Sequence, residues 1–144
     1  MGCELCSRLE TPACMAVAAT PRLRVVRVLD APDFPAFYRV IWNAHVAEFS
    51  DLNDVDRAHA MDTVVTVERA LRERLSPTKI NLAALGNMVP HLHWHVIARF
   101  ERDSHFPQPI WGTRQRDSDA DALARIGLAL PMVDERIAAA LATS

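Results

Sequence analysis

Three of the six histidines in this 144-residue chain occupy alternate positions, at His91, His93 and His95. Successive side chains of a β-strand point to opposite faces, so a strand would place all three imidazoles on one face. The residues between them are apolar, which favours a strand, and Pro90 suits its first position. Imidazole acts as nucleophile, acid, base or metal ligand near neutral pH. The pattern therefore predicts a strand that presents three reactive rings to one space.

Two other interpretations of this strand need to be weighed. A histidine-lined strand without chemistry is one, although burying three partly charged rings side by side is costly unless they have partners. A catalytic metal ion bound by all three rings is the other. Three alternate positions span about 13 Å along a strand, too far for ligand bonds of about 2 Å to one small ion. The three rings are therefore expected to divide their roles.

The N-terminus carries a second set of candidate ligands. Cys3 and Cys6 form a Cys-x-x-Cys pair, a spacing at which two thiolates can bind one tetrahedral zinc ion. A single pair is also compatible with redox activity or with idle reduced thiols, while Cys14, in an apolar run, is typical of a small core residue. Because the start lacks the basic and apolar regions of a signal peptide, we expect reduced thiols and a cytoplasmic location.

The elements that must position these residues follow from apolar periodicity and from turn residues. Ahead of the histidine strand, the sequence predicts strands over 13–19, 22–29, 37–42 and 79–85 and a helix over 53–75. An aromatic, proline-rich segment over 100–112 is typical of a loop that covers a site or a partner subunit. A charged linker then precedes a last helix, which is expected to be interrupted near Pro131.

Composition sets the outer bounds. The 16 basic and 18 acidic residues give a net charge of −2, so no basic field indicates a nucleic-acid partner. Half of the residues are hydrophobic, yet no apolar run approaches the ~20 residues that cross a bilayer. We expect one domain over residues 1–144, with the motif-bearing part over about 3–111 and the linker and C-terminal helix over about 112–144.

The run His91-Leu92-His93-Trp94-His95-Val96-Ile97 resembles the signature of the histidine triad (HIT) superfamily, in which histidines alternate with apolar residues. Residues 79–90 resemble the strand and phosphate-binding turn that precede it. The resemblance implies an α+β fold, with an antiparallel sheet of about five strands, one long helix and a C-terminal helix, usually paired as a homodimer. It also implies a nucleotide substrate.

Residue roles are implied by the same resemblance. His93 matches the nucleophile that forms a nucleotidyl-histidine, His95 would act as general acid, and His91 would bind zinc or brace His93. The implied substrate-binding residues are Asn81, Gly86, Asn87 and Asp30. The implied reaction is hydrolysis or nucleotidyl transfer at the α-phosphate of a nucleoside phosphoramidate, a dinucleoside polyphosphate or a similar conjugate. No catalytic metal is required.

The Cys-x-x-Cys pair resembles that of a bacterial-type branch of the superfamily that holds a structural zinc ion. The matching ligands are Cys3, Cys6, His45 and His91. In physical terms, such a site would fasten a short N-terminus to the catalytic strand.

Two positions depart from the family pattern. Phe37 stands where many members carry a fourth histidine, and Met88 stands where the phosphate-binding turn often carries Ser or Thr. These departures leave open a zinc-stabilised nucleotide-binding module with little turnover. A metalloenzyme that uses the histidines together with the two N-terminal cysteines as one catalytic centre is a third alternative.

Overall fold

The computed structural model describes residues 2–6 and 12–143. The strands are β1 (Cys14–Ala19), β2 (Leu23–Val28), β3 (Phe37–Trp42), β4 (Lys79–Ala83) and β5 (His93–Arg99). The long helices are α1 (Asp54–Leu75) and α2 (Ala120–Leu141), and Phe49–Asp51 forms a single 3₁₀ turn. The strands form one sheet in the order β1-β2-β3-β5-β4, and neighbouring strands are antiparallel. The predicted α+β fold with five strands and two helices is confirmed.

The sheet has one face for the core and one face for the histidines. Both helices pack on the face that carries Val25, Val40 and Val96, and the main buried core lies between them and the sheet. Because strand residues alternate between faces, His93 and His95 lie on the opposite face. Within residues 2–6 and 12–143, neither long helix packs on the histidine face.

A partly buried ion pair fixes α2 on the sheet. Asp134 of α2 accepts a hydrogen bond of 2.6 Å from the Tyr38 hydroxyl and pairs with the Arg27 guanidinium at 3.0 Å. These contacts tie β2, β3 and α2 together, because the three partners come from three different elements.

The prediction that the histidine strand begins at Pro90 was wrong. The strand begins at His93, and His91 lies in the bend before it. His91 is completely buried, and its ring points toward residues near the N-terminus rather than along the strand face. Only His93 and His95 therefore share a strand face.

The expected interruption of the last helix at Pro131 was also wrong. The helix α2 runs through Pro131 without a break. Proline has no N–H group, so the carbonyl group four residues before Pro131 loses its helical hydrogen bond. Because Pro131 is exposed, that carbonyl group lies on the solvent side of the helix. That carbonyl belongs to Gly127, and the buried stripe of Leu130, Val133 and Ile137 continues on the other side.

Among the helices of the described residues, none combines the length and apolar character needed to cross a membrane.

Candidate functional site

Four predicted metal ligands meet at one point. The candidate ligand atoms of Cys3, Cys6, His45 and His91 all lie within 4.8 Å of one another. The Nδ1 atoms of His45 and His91 are 3.0 Å apart, and each cysteine Sγ lies 3.5 Å from Nδ1 of His91. Two thiols and two imidazoles form a donor set typical of structural zinc, with four ligands and no position left for a substrate.

The tautomer of His91 suits this cluster. Its Nε2 lies 2.5 Å from the backbone carbonyl oxygen of Trp42. A carbonyl oxygen only accepts, so Nε2 carries the proton and Nδ1 presents its lone pair to the two sulfur atoms. Such a hydrogen bond on the far nitrogen is the usual way in which a protein orients a metal-binding histidine. The residues present therefore fit a zinc ion.

The ring of His93 also donates a hydrogen bond to a backbone carbonyl oxygen, but through Nδ1 instead of Nε2. Its Nδ1 lies 2.7 Å from the backbone carbonyl oxygen of His91. The proton is therefore on Nδ1, and the lone pair is on Nε2. Burial lowers the pKa of His93 below its ordinary value, which keeps the ring neutral at pH 7. A neutral imidazole with a free Nε2 is a nucleophile.

His95 lies in an aromatic enclosure. Its ring contacts the rings of His93, Phe37 and Trp111, with centroids at 4.9, 5.5 and 5.3 Å. Burial, with smaller contributions from His93 and Arg39, lowers its pKa to about 3. Its Nδ1 has no hydrogen-bond partner within the described part of the chain. His95 is thus neutral at pH 7 and does not hold a proton before an anion binds.

The turn between β4 and β5 lies beside the nucleophile. Gly86 has a φ of +70°, a conformation that side-chain-bearing residues rarely adopt. Gly86, His93 and Trp94 are among the residues that line one cavity of about 220 Å³. The cavity therefore brings the backbone of the turn and the candidate nucleophile to one space, as binding of a phosphate group requires.

The other predicted substrate-binding residues are not among those that line this cavity. Asn87 and Asp30 are exposed, and Asn87 belongs to the same turn as Gly86. Asn81 lies on the histidine face of β4, but its side-chain oxygen accepts a 2.8 Å hydrogen bond from Arg99. Substrate contacts by these three residues stay predictions.

The segment after β5 is anchored by a buried ion pair that the sequence analysis missed. Arg99 is 1% exposed, and its Nε and Nη2 donate to the two carboxylate oxygens of Asp103 at 2.8 and 3.0 Å. Asp103 also accepts hydrogen bonds from the backbone N–H groups of Phe100, His105 and Phe106. This network shapes the segment that brings Trp111 against His95.

A second missed residue lies on the histidine face. Arg39 of β3 pairs with His95 of β5 in the register of the sheet, and its guanidinium lies 5.4 Å from the Phe37 ring centroid. The signal for it was a single basic residue inside the apolar strand Phe37–Trp42. Phe37, which replaces the fourth histidine of the family pattern, thus packs between Arg39 and His95.

Comparison with known proteins decides the family. The family model of the HIT domain matches residues 13–102. The chain belongs to the HIT family. A histidine triad protein of Bradyrhizobium japonicum is 34% identical, with a TM-score of 0.67 over 83% of this chain and 90% of that one. The comparison with curated proteins gives no significant match.

Two more distant HIT structures share the fold. One is a hypothetical histidine triad nucleotide-binding protein of Sulfolobus tokodaii, with 18% identity, 94% and 91% coverage of the two chains and a TM-score of 0.64. The other is a zinc-bound histidine triad family protein of Mycobacterium smegmatis, with 20% identity, 87% and 88% coverage and a TM-score of 0.54. Membership of the HIT family supports a role in nucleotide binding or hydrolysis for this chain.

Proposed function

We propose that this HIT protein is a nucleotide hydrolase or nucleotidyl transferase that cleaves at the α-phosphate of a nucleoside phosphoramidate, a dinucleoside polyphosphate or a similar conjugate. The observation that carries the proposal is the hydrogen bond between Nδ1 of His93 and the carbonyl oxygen of His91 at 2.7 Å. It fixes the tautomer in which Nε2 can attack phosphorus. The family match supports the same conclusion.

The reaction proceeds in two displacements. Nε2 of His93 forms a bond to the α-phosphorus while the bond from phosphorus to the leaving oxygen or nitrogen breaks. Water, or an acceptor in a transferase, then forms the new bond to phosphorus as the bond to His93 breaks. Backbone N–H groups of the turn at Gly86 are placed to stabilise the charge on the phosphate oxygens.

The leaving group needs a proton, and His95 is the proposed donor. Its pKa of about 3 in the ligand-free protein means that it is neutral at pH 7. A phosphate anion beside the ring favours the charged form and raises this pKa. In this scheme His95 takes up its proton with the substrate and then transfers it to the departing atom.

A zinc ion held by Cys3, Cys6, His45 and His91 would have a structural role. All four ligands come from the protein, so when bound the ion supplies cross-linking of three chain segments. His91 would contribute to catalysis through its backbone carbonyl oxygen, which orients the ring of His93.

The direct test is intact-protein mass spectrometry after brief mixing with adenosine phosphoramidate, with released AMP measured in the same samples. We expect an acid-labile AMP adduct or AMP release from the native chain and neither from His93→Ala. His59→Ala is the matched control, because His59 lies on α1, on the opposite side of the sheet from His93 and His95. A native chain that gives neither adduct nor released nucleotide with adenosine phosphoramidate or with guanosine phosphoramidate would refute the proposal. Equal activity in His93→Ala would refute the role of His93.

A zinc-stabilised nucleotide-binding module with little turnover is the second candidate. The contact of Phe37 with His95 favours it, because Phe37 can neither donate nor accept a proton and Nδ1 of His95 has no partner among the described residues. A native chain that binds AMP but releases none from phosphoramidates would support this candidate. Activity that survives removal of metal by a chelator would exclude catalysis by a metal centre.

Homodimer formation and a cytoplasmic location stay predictions. Size-exclusion chromatography with light scattering would measure the mass in solution, and a value equal to one chain would contradict the dimer. Fractionation of the source cells would test the location.

A further inference from the structure

Arg39 extends across the histidine face away from the triad. Its register partners are His95 of β5 on one side and Val26 of β2 on the other. Its Nη1 lies 3.9 Å from Sγ of Cys14 on β1. Since neighbouring strands are about 4.8 Å apart, the guanidinium lies over β2, about 10 Å from β5.

This guanidinium has no acidic partner among the described residues. None of the salt bridges of the described chain includes Arg39, and its buried Nε has no hydrogen-bond partner. Its one hydrogen-bond contact with a described side chain is the thiol of Cys14 at 3.9 Å, and sulfur is a weak acceptor. A buried N–H donor without a partner is costly unless a ligand completes its hydrogen bond.

The surroundings define the chemistry of that ligand. The wall beside Arg39 is apolar and includes Val28, Phe37 and Ile97, which pack together in one buried cluster. Asp30 is close enough to Cys14 to oppose ionisation of its thiol, although burial is the main reason that the pKa of Cys14 is raised. A polyphosphate chain would meet one cation, apolar side chains and a carboxylate. A flat, uncharged ring with hydrogen-bond acceptors fits the surroundings of the Arg39 guanidinium better than a polyphosphate chain does.

A nucleotide that reacts at His93 can place such a ring there. Its phosphate would lie near His93 and Gly86, and a ribose separates the phosphate from the base. Two strand spacings, about 10 Å, are comparable with the reach of a 5′-nucleotide from its phosphorus to the far edge of its base. Guanine presents two adjacent acceptors, O6 and N7, that match a guanidinium fork, whereas adenine presents a donor at N6.

We propose that Arg39 recognises the base of the substrate through O6 and N7 and makes this protein prefer guanine over adenine nucleotides. The inference rests on the proposed function and adds the base to it. Arg39 is a specificity-determining residue in this scheme, and Phe37 holds its guanidinium by stacking at 5.4 Å.

The experiment measures dissociation constants for GMP and AMP by calorimetry in the native chain, in Arg39→Lys and in Arg39→Met. We expect the native chain to bind GMP about 5- to 150-fold more tightly than AMP, the range for one bidentate base contact. Methionine donates no hydrogen bond, so Arg39→Met should bind the two nucleotides with nearly equal affinity. Lysine retains the charge and can donate to guanine but lacks the fork, so Arg39→Lys should show a smaller preference than the native chain. Arg125→Met is the matched control, because Arg125 is exposed on α2, and it should retain the preference.

Three results would overturn the inference: equal binding of the two nucleotides by the native chain, a guanine preference that persists in Arg39→Met, or a loss of GMP and AMP binding by the same factor in that variant. Rates with guanosine and adenosine phosphoramidates separate the two proposals. A native chain that cleaves both equally refutes only the base preference, whereas one that neither binds nor cleaves either refutes the proposed function as well.

Discussion

The substitution Asp103→Asn tests how the segment that covers His95 is held. In the native protein Asp103 neutralises Arg99, whose side chain is 2% exposed, and is itself 6% exposed. The variant keeps the size of the side chain, and it keeps one oxygen atom that can accept hydrogen bonds from the backbone N–H groups. It removes the charge, so a buried guanidinium remains without its counter-ion.

The expected cost follows from that burial. Removal of one partner of a buried pair costs about 3–5 kcal/mol, and the oxygen retained by asparagine places the expected value near the lower limit. At roughly 3 °C per kcal/mol for a chain of about this length, the Tm should fall by about 10 °C. The matched control is Asp54→Asn, because Asp54 is 95% exposed in its ion pair with Arg57 and an exposed pair contributes at most about 1 kcal/mol.

Urea denaturation of the native chain and the two variants would measure these free energies of unfolding. Combining Asp103→Asn with Arg99→Met should cost less than the sum of the two single changes, because no unpaired charge is then buried. A loss for Asp103→Asn no larger than for the exposed control would refute the reasoning.

Acid provides a second check on the same pair. Burial alone would raise the pKa of Asp103, but hydrogen bonds from Arg99 and from three backbone N–H groups outweigh it, and the folded-state pKa is lowered. A depressed pKa contributes stability above the unfolded-state value of about 4 that is lost as the pH falls. The difference between the native chain and Asp103→Asn should therefore shrink below about pH 4.

Three further predictions concern the site. Elemental analysis of the purified protein should find one zinc ion per chain. The variant His45→Ala, which alters an exposed side chain, should lower both the zinc content and the Tm. A native protein that binds no zinc even when zinc is supplied would contradict this prediction. Since burial lowers the pKa of His93 below its ordinary value of 6.5, the loss of kcat/KM that follows protonation of this nucleophile at low pH should have its midpoint below pH 6.5. A midpoint at or above pH 6.5 would refute this. The variant Trp111→Ala should raise KM roughly 2- to 10-fold, which corresponds to the loss of one ring contact. Its free energy of unfolding should change by less than about 1 kcal/mol, because Trp111 is 54% exposed. An unchanged KM would show that the contact of Trp111 with His95 at 5.3 Å does not contribute to substrate binding.

Most of the fold could be predicted from local patterns. The strand Phe37–Trp42 has the predicted bounds, and the helix Asp54–Leu75 begins one residue after the predicted start, because Asn53 is its N-cap and accepts from the N–H of Asp56. These boundaries are set by helix-capping residues and by turn-forming residues that lie next to the element in the sequence. The continuity of α2 through Pro131 was not predictable in this way, because it depends on which side of the helix faces solvent.

The site was predictable in its residue types but not in its contacts. Alternation alone placed His91 with the other two rings, whereas tertiary contacts turn it toward Cys3 and Cys6, more than 80 positions away. The ion pair of Arg99 with Asp103 is close in sequence, but its burial and its use of Asn81 follow from the packing of β4 against β5. Such contacts produce no periodic signal in a single sequence.

His91 links the candidate metal site to the candidate nucleophile through three of its atoms. Nδ1 faces the cysteine sulfur atoms, Nε2 is fixed by the carbonyl oxygen of Trp42 at 2.5 Å, and its own carbonyl oxygen accepts from Nδ1 of His93 at 2.7 Å. Displacement of the His91 ring would therefore shift the group that sets the tautomer of His93. Loss of zinc should then reduce the rate of adduct formation at His93, even though the role proposed for the ion is structural. A chelated protein that stays folded and forms the adduct at the native rate would show that the contacts of His91 with the protein alone suffice to orient the nucleophile.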